Sequence, residues 1–160
     1  MLDEPVAYLD NACVTLKPQS VIDSIQDYYI NTPGCGGRSV HRYGTHVSKI
    51  ISQSRKKLSD FFSSPSVNEM VFTRNATHSL NQIAKGLEWN KGDVVLTTDR
   101  EHNSNLVPWL QLEQEQGIDH RIVRSNQDNT FSLESFEKAC ADAGSKLKMV
   151  SMSHVGNLDG

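Results

Sequence analysis

The fold of this chain is decided by residues 94–109, which read VVLTTDREHNSNLVPW. The β-branched run at the start is typical of a buried strand, and the residues from Asn105 onward, with Pro108 in the first turn, are typical of a helix start. His102 would then lie in the loop at the carboxyl end of the strand. In an open α/β sheet ligands bind at this edge, where an imidazole can stack on a flat cofactor or move a proton. A lone loop histidine is more often a solvated or structural group, so its neighbours decide between these roles.

The alternation of strand and helix patterns continues on both sides of this stretch. Apolar runs predict further strands over residues 69–73, 118–123 and 148–152. Helical spacing predicts further helices after Pro18, from His46 to Phe62, through Leu80 to Leu87, and after Ser132 as N-cap. Strands alternating with helices require βαβ units, so the fold class is α/β with a mostly parallel sheet.

The amino-terminal part is organised differently. Residues 6–9 form a short apolar run, which predicts a strand or an extended arm. Residues 33–37 contain three glycines and predict a loop that either approaches a ligand closely or serves as a flexible connection. We therefore expect an arm, a helix and a glycine-rich loop over residues 1–45, and an incomplete larger domain over residues 46–160.

Composition excludes several classes of partner and compartment. The formal net charge is −3 and the 16 lysines and arginines are spread along the chain, so neither nucleic acid nor a membrane surface is favoured. The three cysteines are odd in number and lack a CxxC spacing, which favours a reducing cytoplasmic setting over a disulfide framework. Neither a signal peptide nor a membrane span is predicted.

A candidate phosphate site lies at residues 73–78, which read TRNATH between a predicted strand and a predicted helix. The first turn of a helix offers free N–H groups and the positive end of the helix dipole, and Thr77 adds a hydroxyl. The alternative is that Thr77 only caps the helix. No GxGxxG or GK(S/T) motif follows any predicted strand, which disfavours dinucleotide and nucleoside triphosphate loops.

Polar residues at three predicted strand ends should meet at one sheet edge. They are Thr77, His102 and, after the last strand, His154 with Asn157. A phosphate donor, a stacking ring and an amide that can bond a phenolic oxygen suit one aromatic phosphorylated cofactor, pyridoxal phosphate. Zinc is the rival use for six histidines, but no HxxxH or HxH pair occurs, so a metal site is not expected.

Five motifs together resemble the amino-terminal part of class V aminotransferase-fold enzymes. Among these enzymes, the motifs are most similar to the cysteine desulfurase and selenocysteine lyase group. They occur in the same order and spacing over nearly the whole chain. The motifs lie at residues 8–12, 40–42, 71–77, 101–109 and 153–157. Each one alone is a weak signal, whereas five in register, and above all EHxSNLVPW, are specific.

The resemblance implies a role for each candidate site residue. His102 would stack on the pyridine ring and help to move protons. Ala76 and Thr77 would belong to the turn that binds the cofactor phosphate. Asn157 would lie near the phenolic oxygen of the cofactor, and Ala12 would line the side of the site that takes the substrate carboxylate.

The chain also departs from the family pattern. His78 stands where the family usually has Glu, and Asn103 stands where a second His is common. The pair Cys13–Val14 replaces a small, Thr-containing pair, a change that could alter the fit of the substrate. The roles of four histidines stay open, namely His41, His46, His78 and His154.

The resemblance implies an incomplete enzyme. In the family, the Schiff-base lysine, the Asp at the pyridine nitrogen, the Arg for the substrate carboxylate and the sulfur-accepting Cys follow the motif that ends at Asn157. We therefore expect an incomplete large domain of the fold type I, aspartate aminotransferase-like transferases, inactive alone and truncated before its lysine. Pyridoxal phosphate would bind only with the missing C-terminal half.

With that half, the resemblance implies conversion of L-cysteine to L-alanine with sulfur transfer, as in iron–sulfur cluster assembly. The expected partners are the C-terminal half or a second protomer of a homodimer, and a sulfur-acceptor protein. Two alternatives stay open: another class V activity, such as an epimerase or carbon–sulfur lyase, or a non-catalytic subunit that keeps the fold for binding.

Overall fold

A computed structural model describes residues 6–158 and divides the chain into two compact units, Met1–Phe72 and Thr73–Gly160. The helices and strands, in chain order, are α1 Gln19–Asn31, α2 Arg42–Phe61, α3 Ala76–Gly86, β1 Val94–Thr98, α4 Asn103–Gln116, β2 Asp119–Val123, α5 Leu133–Ala143 and β3 Leu147–Val150. The expected division into residues 1–45 and 46–160 concerns the domains of a complete enzyme and stays a prediction.

In the first unit, the glycine-rich loop is packed against the start of α2. Gly44 is buried, and a side chain there would lie 2.6 Å from the Ser39 Cβ and 3.0 Å from the carbonyl oxygen of Cys35. The N–H of Gly37 donates to the Ser48 hydroxyl at 2.8 Å. The loop therefore approaches a helix of its own unit, and α2 begins four residues before the predicted start because His41 caps it.

The predicted strand at residues 69–73 is wrong. A short 3₁₀ turn covers Val67–Glu69, and the backbone is extended at Met70 without forming a strand. The Met70 carbonyl accepts from the Arg55 side chain at 3.1 Å. Within residues 6–158 no strand pairs with this segment, and a strand needs a hydrogen-bonded neighbour that local apolar pattern alone cannot supply. Of the two alternatives for residues 6–9, a strand or an extended arm, the strand does not form.

The second unit contains a three-stranded parallel sheet in the order β2-β1-β3. Thr98 pairs with Val123 on one side of β1, and Leu96 pairs with Val150 on the other. The first four residues of β1 are completely buried because both faces of this central strand are covered. The prediction of a parallel α/β sheet is confirmed.

The helices cover opposite faces of the sheet. Val95 points to a core with Ala84 of α3 and Trp109 of α4, whereas Leu96 points to a core with Ala143 of α5. The β1-α4-β2 and β2-α5-β3 connections run in opposite directions across the sheet, so crossovers of one handedness place α4 and α5 on opposite faces. Because the three strands are parallel, their carboxyl ends meet at one edge of the sheet.

The boundaries of α4 and β3 differ slightly from the sequence expectation. His102 is the N-cap of α4, so Pro108 lies inside the helix and not in its first turn. β3 ends at Val150, two residues early. The predicted N-cap Ser132 is confirmed, and Gly117 ends α4 in the left-handed conformation. In the described part of the chain, no helix combines the length and apolar character needed to cross a membrane.

Candidate functional site

The carboxyl end of β1 continues into a loop of residues 99–102, here called the β1 loop, which is tied to β2 through Asp99. The carboxylate of Asp99 accepts from the backbone N–H of Ser125 at 3.1 Å and from its hydroxyl at 2.6 Å. Partial burial raises the pKa of Asp99, but the hydrogen bonds from Ser125 and the charge of Arg124 outweigh it, so the net pKa is lowered. Asp99 therefore stays ionised and fixes the β1 loop to the end of β2.

The β1 loop is tied to the other neighbouring strand through Glu101. Its carboxylate accepts from the Thr98 hydroxyl at 2.6 Å and from the Asn105 amide at 2.7 Å. It also accepts from the backbone N–H of Ser153 at 3.0 Å and from the Ser153 hydroxyl at 2.8 Å. Ser153 belongs to residues 151–157, here called the β3 loop, so Glu101 joins the two loops.

The environment of Glu101 favours its ionised form. Burial raises the pKa of this carboxyl, but hydrogen bonds from Thr98, Asn105 and Ser153 outweigh burial and leave the pKa below its ordinary value. An ionised carboxylate has only acceptor sites, and each of these groups is a donor. The pairing therefore holds over the neutral pH range.

His102 follows Glu101 directly and presents an exposed ring at the start of α4. Its Nδ1 accepts from the backbone N–H of Ser104 at 3.1 Å and lies 2.9 Å from the Ser104 hydroxyl. Because Nδ1 accepts a backbone N–H, the proton of the neutral ring is on Nε2. The N-cap therefore orients the ring and leaves the Nε2–H as a donor for a bound molecule.

Asn105 connects this loop to the hydrophobic core. Its side chain is buried, donates to Glu101, and accepts at Oδ1 from the Trp109 indole at 3.2 Å. The Ser151 hydroxyl also donates to Asn105 Oδ1. Sequence reasoning assigned no role to Glu101 or Asn105. The available signal was their spacing, since Glu101, Asn105 and Trp109 follow one another at intervals of four residues and the last two share one face of α4.

The candidate phosphate turn is built at the start of α3. Asn75, and not Thr77, is the N-cap, because the Asn75 Oδ1 accepts from the N–H of His78 at 2.8 Å. The His78 ring accepts from the N–H of Arg74 at 3.3 Å, which closes the turn. Within the described residues the backbone N–H groups of Ala76 and Thr77 have no protein acceptor, and Thr77 is exposed. The capping alternative for Thr77 is therefore wrong.

Two cavities open at the edge where the strands end. The larger, about 460 Å³, is lined by Glu101, Ser125 and His154 among other residues, and the smaller, about 190 Å³, is lined by Asp99 and Asn157. Their walls come from the β1 loop, the β3 loop and the segment after β2. Asn157 thus lines the smaller cavity together with the β1 loop, whereas His102 and the residues of α3 line neither cavity.

The sequence profile of the aminotransferase class-V family matches residues 7–160, nearly the whole chain. The chain belongs to the class-V aminotransferase family. Two curated relatives are probable cysteine desulfurases. The protein from Pyrococcus abyssi is 34% identical over 98% of this chain and 38% of its own length, and that from Ureaplasma parvum is 37% identical over 99% and 39%.

Solved structures agree with this assignment. The apo structure of a cysteine desulfurase from Thermococcus onnurineus covers 92% of this chain and 36% of its own, with 31% identity and a TM-score of 0.82. A cystine C–S lyase solved with cysteine persulfide has a TM-score of 0.76 at 23% identity, covers 92% of this chain and 38% of its own, and supports the fold alone. This chain spans about two fifths of the length of the curated relatives it matches.

The remaining candidate site residue, Ala12, lies in the first unit. Ala12 is exposed in a turn at residues 11–13, where the N–H of Cys13 donates to the carbonyl of Asp10 at 3.2 Å. The Tyr8 hydroxyl donates to the carbonyl of Val14 at 2.6 Å and closes this turn. Its place beside the substrate stays a prediction. Among residues 6–158, no group of three His, Cys, Asp or Glu side chains is arranged to hold a metal ion.

Proposed function

We propose that this chain supplies the amino-terminal part of the pyridoxal phosphate site of a cysteine desulfurase-like enzyme. The reaction is conversion of L-cysteine to L-alanine with transfer of sulfur to an acceptor. The observation that carries the proposal is the joined pair of loops around His102 and Asn157, in a chain whose curated relatives over its whole length are cysteine desulfurases. The chain acts together with a carboxy-terminal half.

The donor set of the second unit fits pyridoxal phosphate. The start of α3 offers the N–H groups of Ala76 and Thr77 and the Thr77 hydroxyl, which suit a phosphate dianion at the positive end of a helix. The imidazole of His102 is exposed, held through Nδ1, and suited to lie against a pyridine ring. The exposed Asn157 amide can donate to a phenolic oxygen.

The orientation of α3 supports this assignment. Ala84, near the carboxyl end of α3, shares a core with Ile118, which directly precedes β2. The carboxyl end of α3 therefore lies toward the amino ends of the strands, and its first turn points toward their carboxyl ends. In this proposal the phosphate turn lies toward the same edge of the sheet as His102, the edge at the carboxyl ends of the strands.

Each of the candidate site residues has a distinct role in this proposal. Thr77 and Ala76 hold the phosphate of the cofactor. His102 orients the pyridine ring of the cofactor and keeps a proton on its own Nε2 at the face of the site. Asn157 fixes the phenolic side of the cofactor. When bound, pyridoxal phosphate supplies an electron sink for bond cleavage next to the substrate amino group. The lysine, Asp, Arg and sulfur-accepting Cys of the family belong to the carboxy-terminal half.

An apolar face of the first unit supports a protein partner. Residues of α1 and α2 line an open cavity of about 1160 Å³, and α1 has no buried residue. The exposed side chains include Ile25, Tyr29 and Ile50, at 54%, 71% and 47% exposure. Such patches are uncommon on a soluble monomer. We infer that the carboxy-terminal half or a second protomer covers this face.

The test is a product assay on the protein as its gene encodes it, supplied with pyridoxal phosphate and L-cysteine. We expect alanine as the organic product, with sulfide released when a thiol reductant is present. Pyruvate and ammonia in its place would indicate a carbon–sulfur lyase. Absence of any reaction, even with a carboxy-terminal half added, would overturn the proposal.

Variants connect the product to this chain. Thr77→Val removes the phosphate-facing hydroxyl, and His102→Asn removes the ring while keeping an N-cap. We expect Thr77→Val to weaken cofactor affinity about tenfold, the value of one charge-assisted hydrogen bond. Glu137→Gln, an exposed position on α5, is the control.

A further inference from the structure

The β1 loop contains two carboxylates that pin it from opposite sides. Asp99 accepts from the segment after β2, through Ser125, whereas Glu101 accepts from the β3 loop through Ser153. Asp99 and Glu101 are two positions apart in this loop, and each carboxylate contacts the segment that follows a different neighbouring strand of the sheet. The two carboxylates can therefore be tested separately.

The Glu101 contact is the one that spans both loops of the site. Glu101 precedes His102 directly, and the Asn105 amide that it accepts from lies in the first turn of the helix that His102 caps. Its other partner, Ser153, lies four residues before Asn157. One carboxylate thus fixes the backbone on both sides of His102 and the start of the segment that leads to Asn157.

The chemistry of this junction requires a carboxylate. Thr98, Asn105 and Ser153 together direct four donor groups at the two oxygens of Glu101. An amide in this place would present its own N–H groups to some of these donors. The junction is also partly shielded from water, which makes each unmatched donor costly.

We propose that Glu101 is a positioning residue, which holds the His102 ring and the Asn157 amide in a fixed mutual arrangement by locking the β1 loop to the β3 loop. The proposal rests on the proposed function for its catalytic meaning, but the coupling itself is a property of this chain. Glu101 acts through His102 and Asn157 and need not touch substrate.

The first test measures the coupling without cofactor, by amide hydrogen exchange and histidine NMR on the protein as its gene encodes it. Glu101→Gln should speed exchange at Ser153 about tenfold, the effect of weakening one charge-assisted hydrogen bond, and Glu101→Ala should speed it further. The signals of His102 should shift in both variants. The signals of Ser125 should not change.

Matched variants decide whether this is positioning or general loosening. Asp99→Asn should speed exchange at Ser125 and leave Ser153 and His102 unchanged, and Glu137→Gln should change none of the three. Unchanged exchange at Ser153 in Glu101→Gln would overturn the proposal. Equal acceleration at Ser125 and Ser153 in both loop variants would overturn it as well, because the carboxylates would then only stabilise the fold.

A second readout adds pyridoxal phosphate. Glu101→Gln should weaken cofactor affinity several-fold and change the visible circular dichroism of the bound cofactor, while the exposed control Glu137→Gln should leave both unchanged. Unchanged affinity and dichroism in Glu101→Gln would overturn the positioning role. Failure of the unaltered protein to bind the cofactor would instead count against the proposed function, and the exchange data would still decide the coupling.

Discussion

Glu101 and Ser153 are joined by two kinds of hydrogen bond although 52 positions separate them along the chain. The Ser153 hydroxyl lies 2.8 Å from the Glu101 carboxylate and the Ser153 N–H lies 3.0 Å from it. The contact links the segments that leave two adjacent parallel strands, β1 and β3. The position of His102 relative to Asn157 is therefore set by a local contact as well as by the sheet.

The lowered pKa of Glu101 predicts an acid-dependent loss of stability. A carboxyl whose pKa is depressed in the folded state stabilises the fold above its ordinary pKa of 4.5, and this contribution is lost as pH falls through the lower, folded-state pKa. We expect the free energy of unfolding, measured with urea, to decrease below that ordinary value. Glu101→Gln should make the free energy of unfolding depend less steeply on pH in this range, and Glu137→Gln should not. An equal pH dependence in the unaltered protein and both variants would contradict this role of Glu101.

The N-cap role of His102 can be separated from its role in the site. Asn caps a helix well, so His102→Asn should change the free energy of unfolding by less than about 0.5 kcal/mol, whereas His102→Ala should cost about 1 kcal/mol. Both variants should lose affinity for pyridoxal phosphate because both lack the ring. Thermal unfolding and a cofactor titration measure the two effects, and normal affinity in His102→Asn would show that the ring is not used.

Trp109 joins the hydrophobic core to the site. It is completely buried, packs against Trp89 with ring centroids 6.1 Å apart, and donates to Asn105. Trp109→Phe should destabilise the protein by about 2–3 kcal/mol, because it creates a cavity and leaves the Asn105 oxygen with one donor fewer. The half-exposed Phe131, changed to Leu, is the control and should cost less than about 1 kcal/mol. Similar losses in both variants by urea denaturation would refute the buried indole contact.

The packing of the glycine-rich loop predicts opposite effects for two Gly→Ala changes. Gly44→Ala should cost about 1–3 kcal/mol, because its Cβ would lie 2.7 Å from the Ser39 carbonyl oxygen. Gly86, at the end of α3, has open space around its missing Cβ, so Gly86→Ala should be neutral or stabilise by about 0.5–1 kcal/mol. Urea denaturation measures both changes, and amide exchange at Gly37, whose N–H donates to the Ser48 hydroxyl, follows the packing of the loop. A harmless Gly44→Ala would show that the loop is not packed against α2.

The sequence predicted those features that depend on neighbours close along the chain. The buried run Val94–Leu96 and the Ser132 cap both follow from local pattern and are confirmed. The prediction of a strand at residues 69–73 was wrong, because a strand depends on a pairing partner that the local sequence pattern does not reveal. The contacts of Glu101 with Ser153 and of Asn105 with Ser151 were missed for the same reason, since these partners are distant in sequence.

A crystal structure of the complete protein with pyridoxal phosphate tests the proposed cofactor site. We expect the phosphate at the first turn of α3, within hydrogen-bond distance of the Thr77 hydroxyl and the Ala76 N–H. We also expect the pyridine ring against His102 and the phenolic oxygen beside the Asn157 amide. A cofactor bound with its phosphate away from α3, or with His102 and Asn157 both out of contact with it, would contradict the account.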